Sequence, residues 1–357
     1  MRNIIHPRPN PIVAAMYTLR DMDVDVVVVH GPAGCGFMAS RMLEEADVRV
    51  VTSGMRDNDL IFGAAEPLIN TLKTVEEKFH PKTVAVVGTC ASMIIGEDMA
   101  KAIRKAGIDA NVFPVESHGC MGDNTRGAIK ALEAGRDAGI ISAEECARQV
   151  SLMKAATRLE KNVGMASRDY LSPATSPTKM HVCKRIIEVL SEGGRVAVVM
   201  DAKKELAYRF ADMFEAVDRA KKKLGGETLF VANLDGNLGL PRIRNYCREI
   251  NDDLASKGVK IDVITGGLDE YSVLGDRMKE AVDAFQPDLL ILMGICHAYP
   301  EMKTDDILIT DQPRQLANYL NMGYEMAVGE ISSHSMVMGA HHIIPLETAE
   351  TLRELLE

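Results

Sequence analysis

Val24-Asp25-Val26-Val27-Val28-Val29 runs directly into His30-Gly31-Pro32-Ala33-Gly34-Cys35-Gly36. A nearly unbroken β-branched run of this length reads as a strand buried on both faces, and the Gly/Pro cluster after it reads as a turn. The order strand, turn, thiol places Cys35 at the carboxyl end of the strand. In open parallel α/β sheets that edge is where ligands bind. The same arrangement recurs at Thr83–Gly88 (TVAVVG), followed by Thr89-Cys90-Ala91-Ser92. Two cysteines carried by two strand ends point to a site and not to a disulfide framework.

Alternation continues in both directions from these stretches. Ahead of the first strand, Asn10 can cap a helix over Ile12–Arg20 with Pro11 in its first turn. After it come a helix at Ala39–Glu45, a strand at Val48–Val51 and an amphipathic helix at Ile61–Phe79. A helix at Met93–Ala106 and a strand at Asn111–Val115 follow Thr83–Gly88, and the latter leads into Glu116-Ser117-His118-Gly119-Cys120. Helices at Asn124–Ala134 and Ala143–Lys161 close a first α/β lobe at residues 1–165. The stretch Tyr170–Lys179 (YLSPATSPTK) has the composition of a linker, set at 166–178.

A second alternating series occupies 179–325. Its strands are expected at Arg195–Met200, Thr228–Ala232, Lys260–Ile264, Asp288–Met293 and Ile307–Thr310. Its helices are expected at Val182–Leu190, Ala202–Leu224, Arg242–Lys257, Asp269–Phe285 and Gln312–Met322. Residues 326–357 read as a tail without a clear period. Strand–helix alternation of this kind implies parallel sheets with right-handed crossovers. The expected class is therefore α/β, with two or more doubly wound, Rossmann-like lobes facing each other across a cleft.

Bulk properties restrict the function. The 357 residues carry a formal net charge of −10, which argues against nucleic acid as a partner. No apolar run reaches the roughly 18 residues of a membrane span, and MRNIIHPRPNP lacks the apolar core of a signal peptide. The expectation is a cytoplasmic chain with no membrane partner. Seven cysteines without regular spacing fit a reducing compartment. With 21 methionines and no tryptophan, the core is expected to be aliphatic and methionine-filled.

The motifs exclude standard nucleotide sites. There is no GxxxxGK[ST], and no GxGxxG opens a helix after a strand. Any ATP used would be hydrolysed by a partner. Small neighbours flank Cys35 and Cys90, leaving room for a bulky inorganic group, and thiolates suit iron–sulfur clusters and zinc. The absence of CxxC disfavours a zinc ribbon. From the residues alone, an iron–sulfur cluster, a catalytic thiol and inert buried cysteines all stand. Cys120 is the natural third thiol, and Cys296 beside His297 sits at another strand end. Cys146, Cys183 and Cys247 fall inside amphipathic helices and read as packing residues.

Three stretches carry a resemblance: HGPAGCGF at His30–Phe37, Phe62-Gly63-Ala64, and TCASMIIGED at Thr89–Asp98. They resemble nitrogenase component-one subunits and their relatives, a superfamily that includes the dark-operative protochlorophyllide and chlorophyllide reductases. The opening HPRPNPIVAAMYTLRD and the form VVGTCASMIIGED narrow it. They are similar to the D components of the nickel-sirohydrochlorin a,c-diamide reductive cyclases of methanogens, which build the ring system of coenzyme F(430).

The resemblance implies an oxidoreductase. Its catalytic component would receive electrons from an ATPase resembling nitrogenase iron protein (the C component). It would pass them through a [4Fe–4S] cluster to a bound nickel tetrapyrrole, with nickel arriving inside the substrate. Cys35 and Cys90 match the family's cluster cysteines, while its additional upstream cysteine has no counterpart here. Two matched cysteines per chain imply a homodimer that closes one cluster on its two-fold axis, since an isologous interface supplies each ligand twice. The competing arrangement is a cluster in each subunit completed by Cys120 or an oxygen ligand.

A substrate bearing carboxylates and amides calls for local cations and proton donors. Candidates are Arg8, His118, Lys203 and His297, with His6, Lys204, Arg242 and His341-His342 behind them. The amide that closes the lactam needs no protein nucleophile, so no catalytic thiol is assigned. Another nitrogenase-like reductase, a non-catalytic cluster-assembly scaffold and a metal-free two-lobed binding protein are the alternative functions.

Overall fold

The computed structural model describes residues 10–120, 122–163, 177–204, 206–269, 275–294, 299, 301–330 and 339–357. The chain forms two compact units. One comprises Ile5–Gly164 with Leu240–Arg242, and the other Met1–Ile4, Met165–Gly239 and Ile243–Glu357. The expected linker lies, as far as residue 176, outside the described residues.

The N-terminal unit is built on a parallel sheet of four strands: β1 (Val26–His30), β2 (Arg49–Thr52), β3 (Thr83–Gly88) and β4 (Asn111–Val115). Their order is β2-β1-β3-β4 and every pair is parallel. The valine run of β1 and the apolar Val84–Val87 of β3 fit strands covered on both faces, and each β1 residue is buried. On one face, Leu68, Leu72 and Val75 of α4 (Ala65–Phe79) and Met99 and Ala102 of α6 (Met99–Ala106) pack against Val26, Val28, Val84 and Val86. Each such aliphatic side chain contributes roughly 1.5–3 kcal/mol through burial.

Helix α1 (Pro11–Asp21) begins as expected. The Asn10 side chain accepts the Val13 N–H at 3.0 Å, and Pro11 occupies the first turn. It is buried along its whole length and packs against α7 (Asn124–Asp137). Gly127 of α7 makes that contact sterically feasible, because a Cβ there would lie 1.9 Å from the Pro11 carbonyl oxygen. α8 (Ala143–Val163) completes the unit.

Two helices expected to be continuous are broken. The segment 61–79 is divided into α3 (Asp57–Phe62) and α4, with Gly63 between them at φ 95°. The segment 93–106 is divided into α5 (Cys90–Ile94) and α6, with Gly96 at φ 67° and Asp98 capping α6 through the Lys101 N–H at 2.8 Å. Both glycines take the left-handed conformation that other residues resist. α2 (Phe37–Glu44) follows Gly36, which is also left-handed.

The C-terminal unit carries six parallel strands. They are β5 (Arg195–Asp201), β6 (Glu227–Ala232), β7 (Val263–Ile264), β8 (Leu289–Gly294), β9 (Ile307–Thr310) and β10 (Ala327–Gly329). The order β10-β9-β8-β5-β6-β7 corresponds to the 3-2-1-4-5-6 order of dinucleotide-type doubly wound sheets. Its core on one face joins Ala197, Val199, Leu290 and Leu292 with Met278 and Val282 of α13 (Gly275–Phe285). α9 (Pro177–Ser191), α11 (Asp212–Leu224) and α15 (Glu347–Leu356) form a helical layer.

The sequence places a helix from Ala202, but it starts only at Ala207 with the short α10 (Ala207–Phe210) before α11. Residues expected as a tail supply β10 and α15. α15 buries Ala349, Leu352 and Leu356, and β10 is only three residues long, too short for a period to show. They are locked in place by Lys179 of α9, whose Nζ lies 3.4 Å from Glu330 and 2.5 Å from Glu347. Glu330 also accepts the Thr348 N–H at 2.9 Å. No helix among the described residues is long and apolar enough to cross a membrane.

Candidate metal centre

In the order β2-β1-β3-β4 the chain changes direction between β1 and β3, and this switch point is the ligand-binding crevice of open α/β sheets. Cys35 follows β1 and Cys90 follows β3. The two thiols therefore leave the same sheet edge from neighbouring strands. Burial pushes the Cys35 thiol above its ordinary value, and the nearby Cys90 adds to the effect. Both are half-buried and free.

The loops that carry them are fixed by short hydrogen bonds. Cys35 N–H donates to the Pro32 carbonyl at 2.9 Å, closing a tight turn, and Gly36 starts α2. His30 and Gly88 are register partners, so Gly31 and Thr89 emerge side by side. Buried Thr89 donates its Oγ1 to the His30 carbonyl at 3.0 Å. A Cβ on Gly31 would lie 2.3 Å from Thr89 Oγ1, so any other residue there must displace the Thr89 side chain. Ser92 closes the cap of α5, its Oγ accepting the Thr89 N–H at 2.9 Å. At the end of β2, Ser53 Oγ lies 2.9 Å from His30 Nδ1 and accepts the Gly31 N–H at 3.1 Å.

The β4 loop adds a third wall. Gly119 N–H donates to Cys90 Sγ at 3.1 Å, and a Cβ at Gly119 would sit 3.3 Å from the sulfur. In iron–sulfur sites an N–H directed at a ligand sulfur tunes the reduction potential. Cys120 is exposed and His118 half-buried in the same loop. Among the described residues, no group of three or more His, Cys, Asp or Glu is arranged to hold a metal ion. The chemistry of the donor set thus fits half of a four-thiolate cluster: two adjacent thiols, small residues around them and one N–H···S bond.

Sequence reasoning left several residues here without a role. His30 is fully buried, its Nε2 has no hydrogen-bond partner among the described residues, and burial lowers its pKa. Glu97 accepts the Ala64 N–H at 2.7 Å, so the two quoted motifs Phe62-Gly63-Ala64 and Gly96-Glu97-Asp98 meet at one hydrogen bond. Phe37, Ile61, Phe62 and Ile94 flank these motifs with 71–84% of their surface exposed. Phe37 two residues after Cys35, Ile94 four residues after Cys90, and Ile61-Phe62 before Gly63 were the available signal.

Of the substrate candidates, Lys203 lies just past β5 at the switch point of the C-terminal sheet, between β5 and β8, with its carbonyl accepting Leu206 and Ala207 N–H groups. Arg242, counted with the N-terminal unit, is ion-paired to Asp23 at 2.7 Å and is thus engaged structurally. His341 and His342 are exposed, the former 3.5 Å from Glu249. Arg8, His6, Cys296 and His297 lie outside the described residues. Cys146, Cys183 and Cys247 are buried in helices, the last two pushed up to about 12 by burial, as packing thiols should be.

Comparison with known proteins gives consistent findings. Residues 11–153 match the family model described as nitrogenase component 1 type oxidoreductase. The chain is 43% identical over 353 residues to component CfbD of the Ni-sirohydrochlorin a,c-diamide reductive cyclase complex of Methanothermobacter thermautotrophicus, covering 98% of each chain. It is 43% identical over 360 residues to the component of the same name in Methanosarcina acetivorans, covering 99% of this chain and 97% of that one. Among solved structures, nitrogenase Cp1 at pH 5 aligns over 100% of this chain and 89% of that chain, at 13% identity and a TM-score of 0.35. With identity of this level along nearly the whole length of both chains, the protein belongs to the CfbD family of nitrogenase component 1 type oxidoreductases.

Proposed function

We propose that this chain is the catalytic component of an ATP-dependent, nitrogenase-like reductive cyclase that reduces Ni-sirohydrochlorin a,c-diamide and promotes lactam formation in coenzyme F(430) biosynthesis. The observation that carries the reading is the placement of Cys35 and Cys90 on adjacent strand ends at a switch point, in a chain 43% identical over its length to a reductive cyclase component. A bound [4Fe–4S] cluster supplies one-electron transfer at low potential. Cys35 and Cys90 would hold it, the Gly119 N–H would bond to a ligand sulfur, and the Thr89–His30 bond would keep the two loops in register.

Two thiols leave half of a four-thiolate set, and a second copy of the chain supplies the other half through a two-fold interface. The exposed Phe37, Ile61, Phe62 and Ile94 beside the thiols support such a homodimer. ATP would be consumed by an iron-protein-like C component, which in this reading docks near the same loops, in the cytoplasm. Nickel belongs to the substrate. Arg8, His118, Lys203 and His297 would contact its polar substituents or donate protons.

The test is a reconstituted anaerobic reaction with the iron-protein-like partner, ATP, reductant and Ni-sirohydrochlorin a,c-diamide. The reading predicts a reduced, lactam-containing product dependent on ATP and on both proteins. Tetrapyrrole bound but unchanged under those conditions would indicate an assembly scaffold instead.

A further inference from the structure

The C-terminal unit holds a polar group that its own fold does not use. Asp201 is the last residue of β5, at the β5/β8 switch point, where sheets of this order take their ligands. Its side chain is fully buried, and neither carboxyl oxygen has a hydrogen-bond partner among the described residues. Buried polar groups are nearly always paired, because leaving one unpaired destabilises the fold.

The surroundings are organised, not loose. Asn233, at the end of β6, accepts the Ala202 N–H at 3.1 Å and donates to the Ala202 carbonyl at 2.9 Å, clamping the residue after Asp201. On the other side Gly294 ends β8 at φ 98°, and a Cβ there would lie 2.3 Å from the Asp201 carbonyl oxygen. The backbone on both sides of Asp201 is thus held while its carboxyl group is left with unused hydrogen-bonding capacity. Thr265 Oγ1, just past β7, is likewise buried and has no hydrogen-bond partner among the described residues.

We propose that the Asp201 carboxyl pairs with a primary carboxamide of the substrate entering the β5/β8 switch point. This rests on the reading of the substrate as a tetrapyrrole diamide. Burial holds Asp201 protonated up to about pH 8, so at neutral pH it presents one O–H donor and one carbonyl acceptor. A primary carboxamide presents the complementary acceptor and donor, and a two-point pair satisfies both oxygens. An ionised carboxylate at the same place has no donor and leaves one Asp201 oxygen unpaired. Asp201 would therefore favour the amidated substrate over its unamidated precursor, and the reaction that supplies this substrate must be an amidation of carboxylate side chains.

The experiment compares equilibrium binding of Ni-sirohydrochlorin a,c-diamide and of unamidated Ni-sirohydrochlorin to the full-length protein, to Asp201→Leu and to Asp201→Asn. Wild type should prefer the diamide by about tenfold, the effect of one well-made hydrogen-bonded pair. Asp201→Leu should bring the two affinities within about twofold by weakening the diamide more than the unamidated form. Asp201→Asn, which keeps a donor and an acceptor, should retain the wild-type preference at pH 7 but not the widening of that preference above about pH 8, where an ionised Asp201 repels the carboxylate form. If Asp201→Leu does not fold, the pH dependence of the Asn variant against wild type decides. Unchanged preference in folded Asp201→Leu, or the same widening above about pH 8 in Asp201→Asn as in wild type, would overturn the role of Asp201 and leave the functional reading intact. Wild type binding neither compound would overturn both.

Discussion

Thr89 Oγ1 donates to the His30 carbonyl at 3.0 Å, and that single bond couples the two loops that carry Cys90 and Cys35. The bond is buried, so its loss leaves a carbonyl unsatisfied where no water replaces the hydroxyl. Thr89→Val keeps the shape and removes the donor. It should destabilise the N-terminal unit by about 1–3 kcal/mol in urea unfolding, whereas Thr89→Ser should stay near wild type. Equal stability of Thr89→Val and wild type would show that the loops are set by other contacts.

Gly31 faces the same threonine. Gly31→Ala would place a methyl group 2.3 Å from Thr89 Oγ1 in a packed interior. Forced repacking of this kind typically costs about 1–3 kcal/mol. A lowered melting temperature is expected, with the far-ultraviolet spectrum unchanged.

The clasp between Glu97 and Ala64 makes a local prediction. Glu97→Ala removes the acceptor of the Ala64 N–H, which is 2.7 Å away in the wild type. Amide exchange at Ala64 should accelerate by roughly tenfold or more, in line with about 1.5–3 kcal/mol for a bond to a charged acceptor. Exchange at β1 amides should be unaffected.

How much of this was legible beforehand depended on how the local signals were distributed. Thr83–Gly88, Asn111–Val115 and Ile307–Thr310 have the expected bounds because apolar runs end there at polar or glycine residues. Gly63 and Gly96 were harder to place. The apolar residues around each of them fit one helical period, and only the left-handed backbone reveals the breaks. The strand-end position of the cysteines could be anticipated from strand–turn–cysteine order alone, whereas their place at the switch point follows from the strand order, which no local signal carries. The Thr89–His30 and Glu97–Ala64 bonds could not, since each joins residues far apart in sequence. Asp201 was passed over because an acidic residue after an apolar run ordinarily marks the end of burial, and here it is the last buried residue of the strand.

That buried carboxyl also predicts a pH dependence. Its pKa rises from 3.8 to about 8 through burial. Below about pH 4 both folded and unfolded chains hold the proton. Between there and about pH 8 the folded chain keeps a proton that the unfolded chain releases. Stability contributed by this group is therefore lost as pH rises through the window, by at most about 1.4 kcal/mol per pH unit. Asp201→Asn lacks this slope. Its stability advantage over wild type should grow from pH 5 and level off above about 8 in paired urea titrations, and a constant difference would contradict the assignment.

Lys179 tests the anchoring of α15. Its ammonium is buried between Glu330 and Glu347, so Lys179→Met leaves Glu330 buried with its charge uncompensated. A loss of about 3–5 kcal/mol is expected in the C-terminal unit. Adding Glu330→Gln to Lys179→Met should recover part of it, which a simple loss of packing would not allow.

The central claim is a cluster held by Cys35 and Cys90, and it is tested most directly by anaerobic iron and acid-labile sulfide content. Electron paramagnetic resonance of the reduced protein is read alongside, for wild type, Cys35→Ala, Cys90→Ala and Cys120→Ala. The account predicts about half a [4Fe–4S] cluster per chain, lost in the first two variants and kept in the third. A whole cluster per chain that also requires Cys120 would contradict the shared site, and iron-free protein after reconstitution would contradict the electron-transfer function itself.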